Sequence, residues 1–180
     1  CRLVAHPWIP LPRRTPQEMK LLIVSGLSGA GKSVALGMLE DLGYYSIDNM
    51  PLSLLRALTQ GLSEQTDASE QRVAVGVDAR ARRDDIASFP EHIAKLRAEG
   101  LTVETLFLTA DDAVLLRRYA ETRRKHPLTD SNTTLTQAIA KEREILAPIA
   151  ALADNTVNTS TTNMHALRGL IRKYAKTDAG

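Results

Sequence analysis

One stretch constrains this chain more than any other. Gly26-Leu27-Ser28-Gly29-Ala30-Gly31-Lys32-Ser33 fits the pattern G-x-x-x-x-G-K-[ST]. Before it runs Leu21-Leu22-Ile23-Val24, apolar and partly β-branched, as a buried parallel strand is. After it, residues 33–42 read as a helix stopped by Gly43. Strand, glycine-rich loop and helix thus stand in the order that a phosphate-binding loop requires. A turn that merely links strand to helix does not need all eight positions of the pattern.

The residue types supply the chemistry. Glycines let the backbone curl so that successive N–H groups point inward at phosphate oxygens. The helix that starts near Lys32 adds its positive dipole end. Lys32 reaches for β- and γ-phosphates, and the Ser33 hydroxyl suits a Mg²⁺ shell. Mg²⁺ with ATP or GTP is the cofactor set expected.

The 180 residues suit one domain with a sizeable core. Hydrophobic content of 43% and charged content of 24% are ordinary for a globular chain. A net charge of +2 demands neither a nucleic acid nor a membrane as partner. No apolar run approaches the roughly 20 residues that cross a bilayer, and residues 1–18 lack the apolar stretch of a signal peptide. Cys1 stands alone, which excludes an intrachain disulfide and predicts a reducing, cytoplasmic setting. Residues 1–18 hold Pro7, Pro10, Pro12 and Pro16 and show no core periodicity. They read as an upstream extension or vector-derived remnant, leaving 19–180 as the folded domain.

From Met19 onward strand and helix alternate, which predicts an α/β three-layer sandwich around a mostly parallel sheet of about five strands. A short strand over 44–47 runs into Asp48-Asn49-Met50-Pro51, and a helix follows through Leu52, Leu55 and Leu58. Residues 61–72 are polar and read as a loop. Val73-Ala74-Val75-Gly76-Val77 closes on Asp78, an apolar strand with an acid at its end. That is the Walker B arrangement, and it places Asp78 across from Ser33 as a Mg²⁺ ligand. One helix is expected over 84–99, a strand over 102–108 and a helix from Asp111 to Lys125. Another helix carries Leu135, Ile139, Ile145 and Leu146 and stops near Pro148. A short strand over 156–158 precedes a final helix capped by Ser160, Thr161 or Thr162, with Leu167, Leu170 and Ile171 on one face. His6, His92, His126 and His165 show no ligand spacing, so no structural metal site is expected.

Residues 117–125 hold Arg117, Arg118, Arg123, Arg124 and Lys125. Cations at a helix end complement the dipole. Five within nine residues exceed that need and point to phosphate or RNA contacts for some of them, in the manner of a kinase lid.

The stretches GLSGAGKS, YYSIDNMP, VGVDAR and LRRYAETRRKHPL together resemble the RapZ/YvcJ family of P-loop nucleotide-binding proteins. The resemblance covers essentially residues 19–175. It implies a kinase-like fold, binding and hydrolysis of ATP and GTP, and nucleotide contacts from Gly26, Leu27, Ser28, Gly29, Ala30, Gly31, Lys32 and Ser33. It adds a second contact stretch, Asp78-Ala79-Arg80-Ala81. The family's proteobacterial branch includes an RNase adapter that presents small regulatory RNAs to an endoribonuclease. Those partners are expected through a full-length protein with a second domain, which this chain does not include. Oligomeric state is unread, and a homo-oligomer is compatible with the sequence. Two positions depart from the family pattern. Ala81 stands where a polar residue is usual, and Val157-Asn158-Thr159-Ser160 stands for V-D-T-S.

Three functions follow as hypotheses. In a regulatory NTPase, Lys32 stabilises charge while Ser33 and Asp78 manage the metal, and hydrolysis is slow for want of a water-positioning base. In a small-molecule kinase, Asp48 would serve as an acceptor-side base, though it reads equally as a turn residue before Pro51. In an RNA-binding adapter, binding by this chain would be mainly electrostatic, because aromatic content is only 4%.

Overall fold

A computed structural model describes residues 19–63 and 72–177. The reading of residues 1–18 and most of the expected 61–72 loop lie outside them. Five parallel strands form one sheet in the order β2-β3-β1-β4-β5. They are β1 (Lys20–Gly26), β2 (Tyr45–Ile47), β3 (Arg72–Gly76), β4 (Thr102–Thr109) and β5 (Asn155–Asn158). The helices are α1 (Lys32–Asp41), α2 (Leu55–Ser63), α3 (Arg83–Ala87), α4 (Phe89–Ala98), α5 (Asp112–Thr122), α6 (Leu135–Leu152) and α7 (Met164–Thr177). A 3-10 turn over Leu52–Leu54 leads into α2.

β1 is central because it is apolar on both faces, and Leu21, Leu22, Ile23 and Val24 are fully buried. It pairs with β3 from Lys20↔Arg72 to Val24↔Gly76, and with β4 from Lys20↔Thr102 to Gly26↔Leu108. From β1 the chain goes to the edge at β2, returns to β3 beside β1, and then crosses to β4 and β5 on the other side. This reversal of direction opens a crevice at the carboxyl end of β1, where α/β sheets bind ligands. α1 packs on β1, β3 and α7, while α6 packs on β1 and β4 and touches α3, α4 and α5.

The strands match the sequence reading to within a residue or two; the helices correct it in six places. α2 runs on to Ser63, into the expected 61–72 loop, and α5 stops at Thr122 rather than Lys125 because Arg123 turns left-handed. The helix expected over 84–99 is two, α3 and α4, broken at Ser88. Pro90 has no N–H to give the Ile86 carbonyl, and its ring would clash there; Ser88 Oγ donates to the Asp84 carbonyl instead at 2.9 Å. α6 does not stop at Pro148 but runs on to Leu152. Buried Leu146 and Ile149 on either side hold the last turn against the core, which offsets one lost helical hydrogen bond. α7 is capped by Asn163, whose Oδ1 accepts from the Ala166 N–H at 2.8 Å. Ser160 is occupied elsewhere, accepting from the Asp111 N–H at 2.7 Å. Leu167 and Ile171 are buried on α7, but Leu170 is exposed, one residue round from that stripe.

The start of α6 is a full capping box. Thr134 Oγ1 accepts from the Gln137 N–H at 3.3 Å, and Gln137 Oε1 accepts from the Thr134 N–H at 2.9 Å. Thr134→Ala is expected to lower unfolding free energy by about 1 kcal/mol. Urea denaturation of the two proteins measures it.

Candidate phosphate-binding cleft

Gly26 ends β1 with φ +148°, and a Cβ there would collide with the Leu108 backbone of β4. The close approach lets the Leu27 N–H donate to the Leu108 carbonyl at 3.0 Å, and the Leu27 side chain is fully buried. The Ala30 N–H then donates to the Leu27 carbonyl at 2.9 Å, closing the curl. Gly31, at φ 107°, turns the chain into α1, whose first turn has no capping side chain and no acidic residue. The amides of Lys32, Ser33 and Val34 therefore start a helix with no acceptor of their own.

Lys32 sits between two carboxylates. Its Nζ donates to Asp48 Oδ1 at 2.8 Å and to Asp78 Oδ2 at 3.3 Å. Asp48 is placed by the end of β2 and by Gly76, where a Cβ would collide with Asp48 Oδ1 and press on Leu36. Its backbone neighbour Asn49 has φ 55° and donates its N–H to the same Oδ1 at 2.7 Å. Asp78 also takes the Arg80 N–H at 2.9 Å and Arg80 Nη2 at 2.7 Å. Burial pushes the Asp78 carboxyl up, but the Arg80 hydrogen bonds and the charges of Lys32 and Arg80 outweigh it. The net result lies below the ordinary carboxylate value.

Loop, Asp48, Asp78 and Arg80 line one wall of a cleft of about 670 Å³, and Ser33 opens onto it. The sequence reading of Asp78-Ala79-Arg80-Ala81 divides in the structure. Asp78 and Arg80 face the cleft, whereas Ala79 is buried and Ala81 packs against the core. The basic run divides too. Arg118 and Arg124 border the cleft, together with Lys125. Arg118 is tied down, donating to the Gly29 carbonyl at 2.9 Å and to the Thr159 carbonyl at 2.7 Å. Arg117 pairs loosely with Glu121 at 3.9 Å one turn on, and Arg123 ends α5 in the left-handed region at φ 51°. Neither lines the cleft.

Sequence reasoning missed four residues that hold the loop from behind. Thr159 Oγ1 lies 2.9 Å from the Ala30 carbonyl. Tyr119 covers Gly29, and burial pushes its phenol up, with Ser28 opposing and the Glu142 charge adding to the rise. Glu142 accepts from the Ser28 N–H at 2.9 Å and lies 3.0 Å from His126 Nε2. Its signal was available: Glu142 falls on the stripe Ala138, Ile139, Leu146, Ile149, the buried face of α6. A lone acid on an apolar stripe needs a partner.

A Mg²⁺ ion suits the oxygens present. Ser33 and Asp78 offer a hydroxyl and a carboxylate on the phosphate side, and Mg²⁺ takes few protein ligands beside water and phosphate. Among the described residues no group of three or more His, Cys, Asp or Glu could form an all-protein cage. No helix of the described residues is long and apolar enough to cross a membrane.

A family model described as the RapZ-like N-terminal domain matches residues 19–179. The chain belongs to this family. Relatives called nucleotide-binding protein include one from Alkalilimnicola ehrlichii, 48% identical over 164 residues, which cover 91% of this chain and 57% of the relative. Another, from Hahella chejuensis, is 48% identical over 86% of this chain and 54% of its own length. The chain thus spans a little over half of these relatives. Among solved structures, shikimate kinase from Bacteroides thetaiotaomicron superposes with a TM-score of 0.55 at 17% identity, covering 90% of this chain and 99% of that one. Thymidylate kinase from Candida albicans gives 0.54 at 14% identity, covering 90% and 93%. These likenesses establish a P-loop kinase-like α/β fold. Asn158 Nδ2 donates to Asp111 Oδ1 at 3.3 Å, where a carboxylate in its place would repel.

Because the folded pKa of Asp78 is depressed, its contribution to stability is present above the ordinary value of 3.8 and is lost as pH falls through the lower folded value. Wild type is expected to lose stability below about pH 4, and Asp78→Asn to lose measurably less over the same window. Denaturation midpoints against pH read the difference.

Proposed function

We propose that this RapZ-like domain binds Mg²⁺ with ATP or GTP as a regulatory nucleotide site and hydrolyses it slowly. The observation that carries the reading is the convergence of Lys32, Ser33, Asp78 and the first amides of α1 on one cleft. Its volume of about 670 Å³ lies within the range of small-ligand pockets. Phosphate oxygens would meet the Lys32 ammonium and the amides of Gly31 to Ser33, while the nucleoside extends toward the wall formed by Arg118, Thr162 and Leu167. Ser33 and Asp78 would hold Mg²⁺, which when bound neutralises charge on the β- and γ-phosphates. Arg124 and Lys125 stand on the same cleft, in position to add positive charge near the phosphates.

Slow turnover follows from what the acids already hold. Asp48 Oδ1 takes both Lys32 and the Asn49 N–H, and Asp78 takes Lys32 and Arg80. Asp78 is committed to the metal side and Asp48 Oδ1 to Lys32, which leaves only Asp48 Oδ2 to orient a water. Residues 19–180 are proposed as the nucleotide domain of a longer cytoplasmic protein. In that protein, small regulatory RNA and an endoribonuclease are the partners that the family resemblance suggests.

Titration with a fluorescent ATP or GTP analogue tests the reading. Wild type is expected to bind more tightly with Mg²⁺ than without, and Lys32→Ala to bind about ten- to a hundredfold more weakly, as removal of a charge-assisted hydrogen bond costs. Equal binding by the two proteins contradicts it. ADP release that rises sharply with a sugar or nucleoside acceptor would favour the kinase reading instead.

A further inference from the structure

Glu142 is 0% exposed, yet the nucleotide reading makes no use of it. A buried carboxylate is costly unless each oxygen is satisfied. Here both are. Oε1 accepts from Ser28 Oγ at 2.5 Å, and Oε2 accepts from the Ser28 N–H at 2.9 Å. Oε2 also lies 3.0 Å from His126 Nε2, and His126 is itself buried. The partners of His126 fix its tautomer. Its Nδ1 accepts from the Leu128 N–H at 3.1 Å, so the ring proton stands on Nε2 and is donated to Glu142.

Two segments meet at this one carboxylate. On one side is Ser28, within the phosphate loop. On the other is the turn after α5, where the His126 carbonyl accepts from the Thr129 N–H at 3.0 Å and from Thr129 Oγ1 at 2.7 Å. That turn carries Arg124, Lys125 and Pro127, all of which border the cleft. Tyr119 closes the arrangement, its ring centroid 5.3 Å from that of His126 and its edge over Gly29. No other charged side chain is shown touching Glu142 among the described residues.

We propose that Glu142 is a positioning residue that, with His126, latches the basic segment 123–129 to Ser28. Occupancy of the phosphate loop and order in the basic segment are thereby coupled. Ser28 is not offered as a phosphate ligand: both its N–H and its hydroxyl turn to Glu142, which holds that part of the loop back so that the amides beyond Gly31 converge. A nucleotide that binds the held loop more tightly than the released one stabilises the latch, and with it the segment, by the same free energy. The basic segment then presents Arg124 and Lys125 differently with and without nucleotide. The inference rests on the nucleotide reading of this cleft and extends it.

Hydrogen–deuterium exchange on the whole chain, with and without Mg-ATP, tests the coupling. In wild type, nucleotide is expected to slow exchange both at residues 26–34 and at 123–134. Glu142→Gln is expected to bind about tenfold more weakly, and at saturating nucleotide to slow exchange at 26–34 but not at 123–134. Should that variant not fold, His126→Leu removes one side of the latch and is expected to lose the slowing at 123–134, whereas Ser28→Ala, which keeps the backbone N–H bond to Glu142, is expected to reduce it. His126→Gln, which keeps a donor near Nε2, is expected to retain it. A purely structural role would lower stability and leave the nucleotide-dependent difference intact. Slowing at 26–34 without slowing at 123–134 in wild type overturns the coupling alone. Undiminished slowing in folded Glu142→Gln and His126→Leu overturns it too. No change at 26–34 in wild type overturns the nucleotide reading, and this proposal with it.

Discussion

A single ammonium group ties together the ends of three strands. Lys32 enters from the loop after β1 and meets Asp48 beyond β2 and Asp78 beyond β3, at 2.8 and 3.3 Å. Its side chain and that of Asp78 are mostly shielded from water, so the pair feels less screening than a surface ion pair would. Arg80 brings a second cation onto Asp78 at 2.7 Å, and the cluster balances at two positive and two negative groups. The sheet order sets β3 directly beside β1, so that Asp78 stands next to the loop that carries Lys32. Gly76 and Gly26 are where the backbone comes too close for a Cβ, each at the end of a strand that feeds this cluster.

The loop is held from a second direction as well. Arg118 and Thr159 grip the Gly29 and Ala30 carbonyls, and Glu142 grips Ser28. The glycine-rich loop is thus stiff because its outward-facing groups are spent on α5, α6 and the end of β5. Such preorganisation leaves its inward amides available at little further entropic cost. It also means that α5 and the turn after it are mechanically continuous with the phosphate loop, although the sequence separates Ser28 from Glu142 by 114 positions.

Local signals were enough for much of this. The apolar run 21–24, the eight-residue loop and the acid after 73–77 each announce themselves through composition and spacing, and the structure sets all three around the same crevice. Signals that depend on a competing local effect were less legible. Pro90 and Pro148 carry the same intrinsic penalty, yet Pro90 falls in the first turn of a new helix, where its missing N–H has no intrahelical partner to lose, and Pro148 rides inside α6, whose last turn Leu146 and Ile149 anchor in the core. Arg117, Arg118, Arg123 and Arg124 look alike in sequence. Helix phase and the left-handed turn at Arg123 send them to different places. Long-range pairs such as Glu142 with Ser28 leave only an indirect trace, an acid on an apolar stripe.

The most direct measurement of the central claim is an ¹H–¹⁵N correlation spectrum of the chain as Mg-ATP is added. The largest shifts are expected on the backbone amides of Gly29, Gly31, Lys32 and Ser33, with smaller ones near Asp78 and Arg80. Shifts that leave those amides unmoved, or that gather on a surface away from the Lys32 cluster, would contradict it.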